Sequence, residues 1–88
     1  MRIDVLLNKL CIVKARNIAK KACDNGAIIV NGKIAKPGTE IYITDIIDCN
    51  LYGYRTKIKI IKIPEGNVAK KDVLDYYRIE EKEKVIES

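Results

Sequence analysis

The chain has 88 residues and a net charge of +5, with 48% hydrophobic and 33% charged residues. That length fits one domain with a small core, and the composition excludes a disordered chain. No stretch approaches the roughly 20 apolar residues of a membrane-spanning helix, and Arg2 and Asp4 interrupt the start where a signal peptide would need an apolar run. A cytoplasmic protein with no membrane contact is expected. Histidine is absent, which removes the commonest general base. Cys11, Cys23 and Cys49 are odd in number and widely spaced, so they read as reduced thiols packed like small apolar residues rather than as a disulfide framework or a metal site. The five glycines are dispersed and form no phosphate-binding loop. Composition therefore points away from an enzyme, and no cofactor or metal is expected.

In chain order, Ile3, Leu6, Leu7 and Leu10 recur at helical spacing and predict a first helix over 3–12, with Asp4 in its first turn. After a break at Val13 and Lys14, a second helix is expected from about Ala15 to Asn25, closed by Gly26. At about 100° per residue, Ala15, Ile18, Ala19, Ala22 and Cys23 form one apolar arc of this helix, and Arg16, Asn17, Lys20, Lys21 and Asp24 form the opposite arc. The period then changes. Ala27–Val30 and Lys33–Ala35 flank Asn31-Gly32, a strong signal for a tight hairpin because both turn positions favour positive φ. Lys36-Pro37-Gly38-Thr39 reads as a loop, and strands are expected near Glu40–Ile43, Ile46–Leu51 and Arg55–Ile63. In the last of these the alternation changes parity, which suggests a bulge or a strong twist near Ile60. A short helix from about Ala69 to Ile79 and a fraying charged tail of nine residues complete the reading. The fold class is α+β: two N-terminal helices on a small, mostly antiparallel twisted sheet, with a short C-terminal helix.

Charge is unevenly spread. Residues 1–36 hold eight Lys or Arg against Asp4 and Asp24, whereas 37–79 are nearly balanced and 80–88 are acidic. Arg16 and Lys20 stand one helical turn apart, as do Asn17 and Lys21, and like charges at that spacing mildly destabilise a helix. A solely structural surface would intersperse glutamates. The arrangement suits a polyanion-binding face. Asp4 reads as a helix cap or as the partner of a nearby cation, and Arg2 as that partner or as a contact to the polyanion. The five tyrosines read chiefly as packing residues, with base stacking as the alternative.

Arg2-Ile3-Asp4, Leu7, Lys14-Ala15-Arg16, Ala19, Gly26, Val30-Asn31-Gly32 and Lys36-Pro37 occur together in an order and spacing that resemble the RNA-binding domain named after small-subunit ribosomal protein S-four. The resemblance covers residues 1 to about 49, with residues 1–50 as the family domain and 51–88 as a final strand, short helix and tail of the same compact unit. Two positions depart from the pattern: Ala15 stands where Ser or Thr is frequent, and Thr44 replaces the usual glycine before Asp45. The resemblance implies that the helix pair and hairpin present an RNA-facing surface. Charge and hydrogen-bonding chemistry then nominate Arg2, Lys9, Lys14, Arg16, Asn17, Lys20, Lys21, Asn31, Lys33 and Lys36.

Stand-alone members of the family, the heat-shock-protein-fifteen and RqcP types, bind the large ribosomal subunit carrying stalled peptidyl-tRNA. The segment 70–77 resembles the C-terminal part of the shorter type. The resemblance thus implies a monomer that contacts ribosomal RNA and tRNA and works beside a tailing-factor protein. Two other readings stay open on the residues themselves: a general RNA-binding factor in ribosome assembly or RNA chaperoning, and a basic module that docks an acidic protein.

Overall fold

The computed structural model describes residues 1–85. Helix α1 spans Ile3–Lys9 and stops earlier than its apolar spacing implies. Cys11 takes a left-handed conformation with φ 59°. Its N–H donates to the Asn8 carbonyl at 3.1 Å, and the Ile12 N–H donates to Leu7 at 3.0 Å. Glycine ordinarily provides this doubly bonded ending. With cysteine in its place the sequence carries no visible stop signal. Helix α2, Arg16–Asp24, ends in the same way on Gly26, whose φ is 73°. Ala15 precedes α2 in an extended conformation and supplies no side-chain cap.

The helices bury their apolar arcs against a five-stranded antiparallel sheet of order β2-β1-β3-β4-β5. Its strands are β1 (Ile28–Val30), β2 (Lys33–Ile34), β3 (Ile46–Leu51), β4 (Tyr54–Ile60) and β5 (Tyr77–Lys84). Register sorts the side chains by face. Val30, Ile47 and Ile58 form one cross-strand row facing the helices, and Ile28, Cys49 and Thr56 form the next. Ile3, Leu6, Leu7 and Leu10 cover these rows and are almost wholly excluded from water. Fully burying such a side chain contributes about 1.5–3 kcal/mol. The predicted hairpin at Asn31-Gly32 is present, both residues having positive φ, and a second two-residue turn at Tyr52-Gly53 joins β3 to β4.

Three expectations are corrected. First, residues 40–43 form no strand: Glu40 makes one isolated bridge with Arg2, and the Ile41 N–H donates to the Met1 carbonyl. The neighbouring edges of β1 are already taken by β2 and β3, so this segment runs beside the N-terminus instead. Second, β4 ends at Ile60, and the irregularity lies in its partner. Pairing passes from Lys57–Glu81 to Ile58–Ile79, which leaves Glu80 as the extra residue. Third, the expected C-terminal helix shrinks to a 3-10 segment, Lys70–Asp75, and Tyr77–Lys84 become strand β5. An uncapped helix of about ten residues is marginal, whereas the free edge of β4 offers a full ladder. The tail expected to fray is therefore strand as far as Lys84; residues 86–88 lie outside the described residues.

The turn before β3 accommodates Thr44. The Asp45 N–H donates to Tyr42, the Tyr42 N–H returns to Asp45 Oδ2 at 2.8 Å, and the Thr44 N–H reaches Ile60 at 2.7 Å. Thr44 itself sits at φ 77°, where a β-branched residue is strained. Thr44→Gly is expected to stabilise the fold by about 1 kcal/mol, the relief of strain exceeding the added freedom of the unfolded chain. Thermal unfolding checks it, with a rise of roughly 4–8 °C expected for a domain of this size. A fall would show that the threonine side chain contributes more than its backbone costs.

Candidate nucleic-acid interface

The surface is organised around a carboxylate that water does not reach. Asp4 is 0% exposed. Its Oδ1 accepts the Val5 N–H at 2.8 Å, and its Oδ2 accepts from Arg2 Nη2 at 3.2 Å and from Arg16 Nε at 3.1 Å. Of the two roles expected of it, Asp4 thus fills that of partner to cations; the N-cap position is held by Arg2, and Asp4, inside the first turn, accepts the next residue's N–H. Arg2 and Arg16 stay about half exposed. A guanidinium has five N–H donors, so each arginine holds the carboxylate with one edge and keeps further donors at the surface. Gly38 lies against Arg2, since a Cβ there would come within 3.8 Å of Nη2. The loop carrying Lys36 therefore adjoins the two arginines. At the other end of α2, a Cβ on Gly26 would meet Ile34 at 3.9 Å, which sets the β1–β2 hairpin and Lys33 beside the helix C-terminus.

Between these ends α2 behaves as its sequence implies. Ala19, Ala22 and Cys23 are buried, whereas Arg16, Asn17, Lys20 and Lys21 face solvent. Among the described residues, Lys14, Lys20, Lys21, Lys33 and Lys36 enter no ion pair and their ammonium groups make no hydrogen bond. Two cations on the outer face of the sheet differ: Arg55 and Lys57 are matched by Asp48, Glu81 and Glu83, whereas Lys59 on the same strand enters no ion pair among the described residues. Unmatched positive charge is thus left on and around α2.

Two nominated residues are turned to other tasks. Lys9 Nζ donates to the Gly66 carbonyl at 3.1 Å, which ties α1 to the 64–67 turn. The Asn31 carboxamide uses both ends within the fold, Oδ1 accepting the Ile46 N–H at 2.9 Å and Nδ2 donating to Asp45 Oδ1 at 3.1 Å. Asn31 holds the hairpin to the following turn. Conversely, Lys70 lies outside the basic N-terminal segment, yet it lines a shallow groove together with Lys14, Cys11 and Tyr52. No local periodicity could reveal a pairing across so much chain; the basic pair Lys70-Lys71 is the one signal present.

The S4 domain family model matches residues 1–47, the part of the chain that contains both helices, the hairpin and the Asp4 pairings. The chain belongs to the S4 domain family. Relatives resemble it well beyond that S4 segment. A Helicobacter pylori protein named RQC P-site tRNA stabilizing factor is 36% identical over 94% of this chain and 100% of its own length. A Listeria innocua protein of the same name is 34% identical over 100% of this chain and 95% of its own. Among solved structures, heat shock protein 15 of Vibrio cholerae superposes with a TM-score of 0.84 at 25% identity, covering 90% of this chain and 80% of that one. The S4 helices and hairpin are therefore shared together with the sheet that follows them.

The S4 core also fixes the chemistry of Cys23 and Cys49, whereas Cys11, expected to be packed as well, is exposed at the end of α1. Burial, then Asp4 and Asp24, pushes the Cys23 thiol up, and burial, with Asp48 and Cys23 nearby, pushes Cys49 up to about 12 from its ordinary 9.0. Both thiols are protonated and inert at neutral pH. The fold favours neutral Cys49 while the unfolded chain ionises near 9, so this contribution is intact below that pH and is lost as pH rises toward 12.

Unfolding free energy is accordingly expected to decline between about pH 9 and 12, and to decline less steeply in Cys49→Val. Denaturant titrations of the two proteins across that window decide it, and equal slopes would contradict the burial described. For the ion pair, Arg16→Ala is expected to cost roughly 1–3 kcal/mol, because it strips a buried carboxylate of one partner while Arg2 and the Val5 N–H stay. In a double-mutant cycle with Asp4→Asn most of that loss should vanish, whereas additive losses would mean that the two side chains are not coupled.

Proposed function

We propose that this chain is a non-enzymatic RNA-binding factor that acts on the large ribosomal subunit, where it contacts ribosomal RNA and tRNA and steadies the peptidyl-tRNA of stalled complexes. The observation that carries this reading is the set of lysines on and beside α2 with no acidic partner among the described residues, mounted on a helix whose first arginine is anchored to Asp4. Lysines held at fixed spacing neutralise phosphates and release counterions without needing base edges, which suits the closed grooves of A-form RNA. The shared name of the relatives, RQC P-site tRNA stabilizing factor, together with similarity along nearly the whole chain, supports assigning tRNA in the P site as the ligand. In this reading the protein works as a monomer in the cytoplasm. It makes and breaks no bond itself, and a separate tailing factor extends the stalled chain.

Two measurements test it. If about four to six phosphates are engaged, affinity for a structured RNA should fall with salt at a log–log slope of roughly −3 to −5, and a flat slope would remove the α2 face as the contact. In cells, the tagged protein should sediment with free large subunits that carry peptidyl-tRNA and should leave them after puromycin. RNase should disrupt the association, and the Arg16/Lys20/Lys21 triple alanine variant should not form it. Sedimentation with small subunits, or at the top of the gradient, would refute the ribosomal assignment.

A further inference from the structure

Beyond Tyr77, strand β5 continues Arg78-Ile79-Glu80-Glu81-Lys82-Glu83-Lys84. Tyr77 and Ile79 stand opposite Ile60 and Ile58 on the helix side of the sheet. Uninterrupted alternation would next place Glu81 and Glu83 on that side. The extra residue Glu80 reverses the order, because a one-residue slip moves every later side chain to the other face. Lys82 thus stands opposite Thr56 and Lys84 opposite Tyr54 on the helix side, while Glu81 and Glu83 stand opposite Lys57 and Arg55 on the outer face. On that outer face Arg55 lies 3.1 Å from Asp48, 3.6 Å from Glu81 and 3.8 Å from Glu83, and Lys57 lies 3.8 Å from Glu81. The bulge therefore directs the acids of the strand into ion pairs and its lysines toward the helices.

What the lysines meet there is aromatic. A concavity of about 200 Å³ lies at this end of the sheet, with Ile12, Leu51, Tyr52, Tyr54, Ile79 and Lys82 among its walls and, among the described residues, no acidic side chain lining it. Tyr52 is 65% and Tyr54 41% exposed, and the Lys82 ammonium lies 5.1 Å from the Tyr54 ring centroid. The space is below the ~300–1,000 Å³ usual for a small-molecule or cofactor site. It is also continuous with the basic surface: the groove holding Lys14 and Lys70 shares Ile12 and Tyr52 with it. Lys14 in turn lies two residues before Arg16, the start of α2.

We infer that this concavity is a second RNA contact that takes one unpaired nucleotide, its base against Tyr52 and Tyr54 and its phosphate beside Lys82, along the same strand that α2 grips. The inference rests on the RNA-binding reading of α2 and extends it from paired to unpaired RNA. Tyrosine faces stack any base, so the contact selects for an accessible nucleotide and is indifferent to sequence. The cation beside the ring adds attraction for the phosphate without any base-specific hydrogen bond.

The probe is a blunt RNA duplex compared with the same duplex bearing a short unpaired overhang that contains 2-aminopurine. The overhang should tighten binding by about tenfold and its fluorescence should be quenched on binding. Tyr54→Thr, at a residue that lines this concavity and not the groove of Lys14 and Lys70, should abolish the gain and the quench while leaving affinity for the blunt duplex unchanged. Lys82→Gln, which removes the ammonium without adding an acid, should do the same. The Lys20/Lys21 alanine pair should weaken both RNAs equally. Equal affinity of the native protein for the two RNAs, or a gain that persists in Tyr54→Thr and Lys82→Gln, would overturn this second contact and leave the α2 reading standing. Failure to bind either RNA would overturn both.

Discussion

A single carboxylate joins the fold to its working surface. Asp4 has no access to water, and a charge in that position is tolerated only with its partners in place. Those partners come from two directions, Arg2 just before α1 and Arg16 at the start of α2. Helix α2 lacks a side-chain cap at Ala15, so the Arg16–Asp4 pair does part of the work of fixing where that helix begins. The lysines one turn further on, Lys20 and Lys21, inherit their direction from it. Stability and the placement of the exposed cations of α2 are thus set by the same two hydrogen bonds, and a change at Asp4 acts on both.

How far the sequence discloses this depends on how local each cause is. The amphipathic arc of α2 and the Asn31-Gly32 hairpin were legible because their determinants lie within one turn or one dipeptide. The end of α1 was not, since Cys11 occupies a left-handed position that glycine would have announced. Strand β5 was not legible either. Residues 69–79 have a plausible helical spacing, and only the open edge of β4, formed by distant chain, makes the extended state the better one. For the site, charge counting found the basic region, but charge alone does not separate an ammonium that faces solvent from one that holds a loop. Lys9 reaches a carbonyl 57 residues away and Asn31 spans to the next turn, and both contacts exist only once the chain is folded.

The acidic end of the chain also changes meaning in three dimensions. Read linearly, Glu80, Glu81 and Glu83 dilute the basicity of the protein and suggest an unstructured tail. Folded, Glu81 and Glu83 sit across β4 from Lys57 and Arg55 and discharge the outer face of the sheet. They also give the edge strand a row of charges, which discourages another chain from adding to the ladder there.

Neutralising one broad face while leaving the other unneutralised makes the molecule electrically lopsided, and that has a consequence before any contact is made. In the field of a polyanion such a body experiences a torque as well as a pull, so it tends to arrive with α2 leading. Collisions in the wrong orientation become fewer, and the association rate rises without any strengthening of the final complex. Swapping the charges of β4 and β5 while keeping their sum would leave the net charge untouched, yet the lopsidedness would persist as long as the pairs stayed matched. In the proposed reading it is the balance on the outer sheet face, more than the total of +5, that decides which side of the protein meets RNA first.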